Sequence, residues 1–212
     1  MISQTAIDLI VDFEVTSKAA YISRYQQPTW PGGASGVTIG IGYDLGYSTQ
    51  TQIKNDWGKL PNVVVNQLLG ASGVTGSEAV PYCHSMRAIR VPWDLAMEVF
   101  EHRDMPKWEG MVAHALQHTD HLSPDSRGAL VSLAYNRGCS FSNAGDRYRE
   151  MRAIRDNMAS QNFDAIPDCF RAMKRLWPNV RGLQIRRDKE ADLFQKGLDS
   201  EYNQQAMVSD NH

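Results

Sequence analysis

The sequence predicts an α+β fold dominated by helix, with one small β element near the N-terminus. Three observations carry this. Apolar residues recur at helical spacing over residues 5–19 and through most of the chain beyond residue 49. One stretch, "VTIGIGYDLGY" at 37–47, alternates as a strand does. A segment rich in proline and glycine, 20–36, separates the two.

In the first helix Ile7, Ile10 and Val11 form the stripe, and Thr5 with Asp8 resembles a capping box. Pro28, Pro31, Gly32, Gly33 and Gly36 make the next segment a loop. Beyond the strand-like stretch, "TQTQIKNDWGKL" and "NVVVNQLLG" read as short helices, and 70–80 as a surface turn. A long helical stretch begins at Pro92, and Pro106 either kinks or splits it. "SPDSRGALVSLAYNRG" has a Ser123 cap, Pro124 at the first helical position and Gly138 as its stop. Segments 147–160 and 162–177 are two more helices. A last one, "RGLQIRRDKEADLFQKG", is expected to end at Gly197, with 201–212 frayed.

A chain of 212 residues, 42% hydrophobic and 22% charged, suits one large domain or two small lobes. Its net charge of −2 gives no electrostatic case for nucleic acid or an anionic membrane. The arginines crowd into 147–187, which leaves a local basic patch open. Cys83, Cys139 and Cys169 are odd in number and widely spaced, so they are read as reduced thiols rather than a disulfide framework or a zinc site. The N-terminal "MISQTAIDLIVDFEV" lacks a positive n-region and is read as no secretory signal, which implies synthesis in the cytoplasm. No apolar stretch approaches membrane-spanning length.

Glu14 continues the apolar stripe of its helix. Partial burial favours the protonated form of a carboxyl, which a general acid needs near neutral pH. The alternative is a glutamate that reaches solvent or pairs with an arginine. In the strand, Thr38, Gly40, Gly42 and Asp44 share one face, and Ile39, Ile41, Tyr43 and Leu45 share the other. The first face is either a floor on which a ligand lies against the backbone, or a place for helix packing or a bulge. A straight strand would hold Thr38 and Asp44 roughly 20 Å apart. Joint action therefore requires a bend within or just after Gly40–Gly42. His114, His118 and His121, at i, i+4 and i+7, share a face if helical, but a metal site would need a further ligand and a dry setting. Arg186 and Glu190 are expected as an exposed i, i+4 pair.

Four segments together resemble the bacteriophage-type lysozymes (muramidases), and most of all their pesticin-like branch. They are "LIVDFEV", "GVTIGIGYDLGY", "ALVSLAYNRG" and "GLQIRRDKEADLF". The resemblance implies a small β-containing N-terminal lobe, 1–60, and a larger helical lobe, 61–212, with a cleft between them. Carried over by position, Glu14 is the general acid, Thr38 holds the attacking water, and Asp44 is the base or stabiliser. Residues 15–37 contain no Asp or Glu, so the chain departs from the common phage pattern, in which the aspartate precedes the threonine. Asp44, six residues after Thr38, fits the pesticin-like one.

Gly40, Gly42 and Tyr43 are expected at the substrate floor, and Tyr135, Asn136 and Arg137 either line the cleft or cap a core helix. Arg181, Arg186 and Arg187 are candidates to lie near Glu14. The activity implied is hydrolysis of the bond between N-acetylmuramic acid and N-acetylglucosamine in peptidoglycan, with inversion, no cofactor and no metal. The chain would act as a monomer on the cell wall, as an endolysin or a delivered antibacterial effector with delivery or immunity partners. Two other readings stay open: a chitinase- or chitosanase-like glycosidase, and a non-catalytic wall-binding protein on the same scaffold.

Overall fold

The computed structural model describes residues 1–209, with side chains described as far as Glu201. The chain is α+β and mostly helical, with one two-stranded antiparallel sheet among the described residues. It packs as two compact units, Val11–Asp104 and Met1–Ile10 with Met105–His212. The boundary expected at residue 60 falls inside the first of these, between two of its helices.

Helix α1 (Gln4–Val15) contributes its first residues to one unit and its last to the other. Its cap is Ser3, whose Oγ accepts from the Ala6 N–H at 3.2 Å, not Thr5. The helix expected over 5–19 is two helices. Thr16 takes a left-handed conformation, φ 67°, and Ser17 then caps α2 (Lys18–Arg24) by accepting from the Ala20 N–H. A β-branched residue at positive φ is strained. The cap and the buried Tyr21, whose hydroxyl donates to the Val91 carbonyl at 3.1 Å, offset that strain.

The unit Val11–Asp104 continues with β1 (Thr38–Ile39), β2 (Tyr43–Asp44), α3 (Gln50–Trp57) and α4 (Asn62–Gly70). The small polar segment after α4 leads into a helix the sequence did not announce, α5 (Ala79–Ser85). Helix α6 (Trp93–Val99) starts after Pro92 as expected. Phe100–Asp104 is then a π-helical turn, and α7 (Met105–Ala115) follows. Pro106, the second residue of α7, has no N–H to donate, and the wide turn just ahead of it absorbs the missing bond.

The other unit is built around α8 (Pro124–Arg137), where Gly128–Ala134 are all buried. Ser123 caps it, and the Gly138 N–H returns to the Ala134 carbonyl at 2.7 Å. Helix α8 packs on α7 and on α11 (Arg181–Ser209), while α10 (Ile166–Ala172) packs on α11 and on α9 (Arg149–Ala159). The expected stop at Gly197 is absent: α11 runs through it to Ser209, and residues 210–212 lie outside the described residues. Gly197 serves a close approach. A Cβ there would collide with Ser123 Oγ and Ser126 Oγ and lie 2.6 Å from the Ser126 nitrogen.

The pair Arg186–Glu190, expected at the surface, is buried in the face of α11 that meets α8. Side-chain exposures are 3% and 0%, and Arg187 beside them is at 0%. Glu190 accepts from Ser132 Oγ at 2.6 Å and Arg187 Nη2 at 2.8 Å, and Arg186 Nη2 donates to the Ser132 carbonyl at 3.1 Å. Pairing both guanidiniums with the one carboxylate, together with these bonds, is what allows charged groups inside. Several other arginines of 147–187 make ion pairs or hydrogen bonds nearer the surface. Arg175 holds Asp146 and the buried Glu150, Arg171 holds Asp192, and Arg152 donates to the Asn143 and Gly145 carbonyls.

Alanine in a helix interior usually stabilises by about 1 kcal/mol relative to glycine. At Gly197 the sign reverses. Gly197→Ala is expected to cost about 1–3 kcal/mol through overpacking against α8. A thermal melt followed by circular dichroism checks this; an unchanged or raised midpoint would contradict it.

Candidate active site

The unit Val11–Asp104 holds Glu14, Thr38 and Asp44. The strand-like stretch is a hairpin. Gly40 at φ 59° and Gly42 at φ 78° turn the chain between β1 and β2, where positive φ suits glycine. Thr38 pairs with Asp44, and Ile39 with Tyr43. The bend falls where the sequence required it, and residues directly opposite in such a pair have Cα atoms about 4.5–5.5 Å apart. On its other side Thr38 is bridged to Thr29, each N–H donating to the other's carbonyl at 2.9 and 2.7 Å. Ile39, Ile41, Tyr43 and Leu45 are buried, while Thr38 and Asp44 stay partly exposed.

The carboxylate of Asp44 is held by backbone. It accepts from the Gly36 N–H on both oxygens, at 3.1 and 3.0 Å, and from the Gly46 N–H at 2.8 Å. It thereby caps the short 3₁₀ turn Leu45–Tyr47 and ties the preceding loop to the hairpin. Neither glycine has room for a side chain. A Cβ on Gly36 would stand 2.5 Å from Asp44 Oδ1 and 2.6 Å from the Gly46 Cα, and one on Gly46 would stand 2.5 Å from the Val74 carbonyl. Sequence reasoning gave Gly36 only a loop role, because no local pattern announces two backbones meeting around a carboxylate.

Two residues expected at the substrate floor face the interior. At Gly40 a Cβ would lie 2.8 Å from the Trp57 ring, so the missing side chain makes room for indole. Tyr43 is 4% exposed and meets Trp57 edge-on at 5.3 Å. Its hydroxyl donates to Asp56 Oδ2 at 2.8 Å, and Arg103 Nε reaches the same oxygen at 2.6 Å. Burial above all, with the Asp56 charge adding, pushes the Tyr43 phenol up to about 12. The pair Asp56–Arg103 joins α3 to the π-helical turn and was invisible in the sequence, its members being far apart along the chain. Gly42 is exposed, and the polar surface of the hairpin is therefore Thr38, Asp44 and the Gly42 backbone. Glu14, next to last in α1, lies partly exposed between the buried Val11 and Val15.

The other unit holds Tyr135, Asn136 and Arg137 at the end of α8. Tyr135 packs against the Trp108 ring at 5.3 Å, and Asn136 is exposed. Arg137 lies over Trp177 at 5.0 Å and Tyr148 at 5.8 Å, and its Nη2 donates to the Arg147 carbonyl. Desolvation, with Arg147 nearby, pulls its guanidinium down. Arg187 stacks on Trp177 as well, at 5.8 Å. Arg137 and Arg187 are thus packing residues of their own unit, Arg187 and Arg186 sharing Glu190, and Arg181 is exposed.

The three histidines do not share a helix face. Helix α7 ends at Ala115, His118 is left-handed at φ 59°, and Thr119–His121 form a 3₁₀ turn. Among the described residues no group of three or more His, Cys, Asp or Glu side chains is placed to hold a metal ion. Cys83, Cys139 and Cys169 are free thiols. No described helix is long and apolar enough to cross a membrane.

A family model described as a domain of unknown function (DUF8812) matches residues 8–102. The match covers nearly all of the unit Val11–Asp104, including Glu14 and the whole hairpin. No curated protein matches the chain.

The raised phenol of Tyr43 links stability to alkaline pH. A group whose pKa is higher when folded contributes stability that is full below its unfolded value, 10.0, and is lost as pH climbs through about 12. Between pH 10 and 12 the urea midpoint of the parent chain should fall more steeply than that of Tyr43→Phe. Parallel curves would remove Tyr43 as the group responsible.

Proposed function

We propose that the chain is a muramidase with a lysozyme-like fold of the pesticin-like kind, hydrolysing the bond between N-acetylmuramic acid and N-acetylglucosamine in peptidoglycan. The observation that carries this reading is the pairing of Thr38 with Asp44 across a glycine-bent hairpin, in the same compact unit as Glu14.

In this reading Glu14 donates its proton to the glycosidic oxygen as the bond to the anomeric carbon breaks. Thr38 holds a water that adds to that carbon from the opposite face. A carboxylate has about four lone-pair sites. Asp44 spends three on the backbone, so the one left takes the water's proton at a fixed position, while the anion stabilises the oxocarbenium-like transition state. Gly42 offers backbone to the sugar. Reaching the wall, by release after membrane disruption or through a secretion machine, belongs to the same proposal.

A second reading has its own observation. The commitment of Asp44 to two backbone donors, one of them shared between its oxygens, also suits a non-catalytic wall-binding protein that keeps the hairpin for shape.

Added to permeabilised Gram-negative cells, the purified chain should lower turbidity. Glu14→Gln should reduce that rate by at least about 10²-fold, the lower end of general-acid contributions, with an unchanged melting curve. Lysis retained by the variant would overturn the assignment. Co-sedimentation with cell wall and no released sugar would favour the binding protein. Mass spectrometry of the products separates muramidase from chitinase: reducing N-acetylmuramic acid ends are expected.

A further inference from the structure

Tyr47 closes the 3₁₀ turn capped by Asp44, and it is 69% exposed. A single exposed aromatic needs no explanation by itself. This one is not free to turn, however. Its hydroxyl donates to the Ala34 carbonyl at 2.9 Å, thirteen residues back. One residue further along that loop, the Ser35 carbonyl accepts from the part-buried Trp30 indole at 3.0 Å and from the Gly76 N–H at 3.0 Å. The next residue, Gly36, donates to the Asp44 carboxylate. Three consecutive loop residues therefore moor two aromatic rings and the candidate catalytic carboxylate.

In both rings the polar group is spent on a backbone carbonyl, and the Tyr47 ring is left facing solvent. Holding an exposed side chain in one rotamer costs conformational entropy, which is recovered when a ligand meets a ring already in place. A planar, moored, solvent-facing ring complements a flat apolar surface such as the C–H face of a pyranose.

We propose that Tyr47, moored on the loop that also holds Asp44, forms a stacking platform for a sugar ring of the glycan strand beside the Thr38–Asp44 pair. The inference rests on the glycan-hydrolase reading and adds a sugar-binding subsite to it. Stacking on a ring whose own bonds do not change holds substrate and transition state equally, so in the active chain Tyr47→Ala should raise KM and leave kcat in place.

The direct test uses Glu14→Gln protein, so that binding is read without turnover, and a soluble peptidoglycan tetrasaccharide followed by titration calorimetry. Tyr47→Ala in that background should weaken binding about tenfold or more, the loss expected for one well-packed aromatic contact. Tyr47→Phe keeps the ring and removes only the hydroxyl tether, so it should bind within a few-fold of the parent. Undiminished binding by Tyr47→Ala overturns the platform. Equal losses in Tyr47→Ala and Tyr47→Phe overturn it too, because the tether alone would then matter. If the Glu14→Gln parent itself binds no tetrasaccharide, the hydrolase reading fails together with the platform.

Discussion

The hold of the Asp44 carboxylate on the Gly36 and Gly46 amides is the interaction on which the candidate site depends. A hairpin of two residue pairs has almost no stability of its own. It persists because both faces are tied to something larger. On the polar face Asp44 fixes the entering loop and the departing 3₁₀ turn with three bonds. On the apolar face Tyr43 and Gly40 lock against Trp57, and the Tyr43 hydroxyl extends the lock to Asp56 and Arg103. Leaving buried amides without that carboxylate would cost about 1–3 kcal/mol for each. The geometry of Thr38 is thus a product of its surroundings rather than of strand propensity.

Much of this was legible where the signal is local. Ser123, Pro124 and Gly138 bound α8 because caps act within a turn of the helix. The alternation of Ile39, Ile41, Tyr43 and Leu45 gave the buried face, and the distance between Thr38 and Asp44 demanded a reversal at the glycines. What failed depends on partners remote in sequence. Gly197 looks like a stop until Ser123 and Ser126 are seen pressing on it. Arg186 and Glu190 look solvated until Ser132 and Arg187 close over them. Gly40 looks like floor space until Trp57 fills it.

The unit built on α8 treats charge as packing material. Glu190 serves two guanidiniums, Glu150 serves Arg175 and Arg149, and Trp177 lies under both Arg137 and Arg187. Such groups are tolerated inside only when their donors and acceptors are matched. Arg186 and Arg187 therefore act as internal bracing, while Arg147, Arg149 and Arg181 of the same run lie at the surface.

The close meeting of Gly36 and Gly46 has a consequence for how such a chain can drift. Position 36 admits no side chain while Asp44 and Gly46 stand, and position 46 admits none while Val74 and Gly36 stand. A side chain added at either glycine clashes unless its neighbours also move, so single substitutions away from this arrangement cost stability. Asp44, Gly36 and Gly46 thus form one physically coupled unit, spread over eleven residues of chain, in which no member can be exchanged independently of the others.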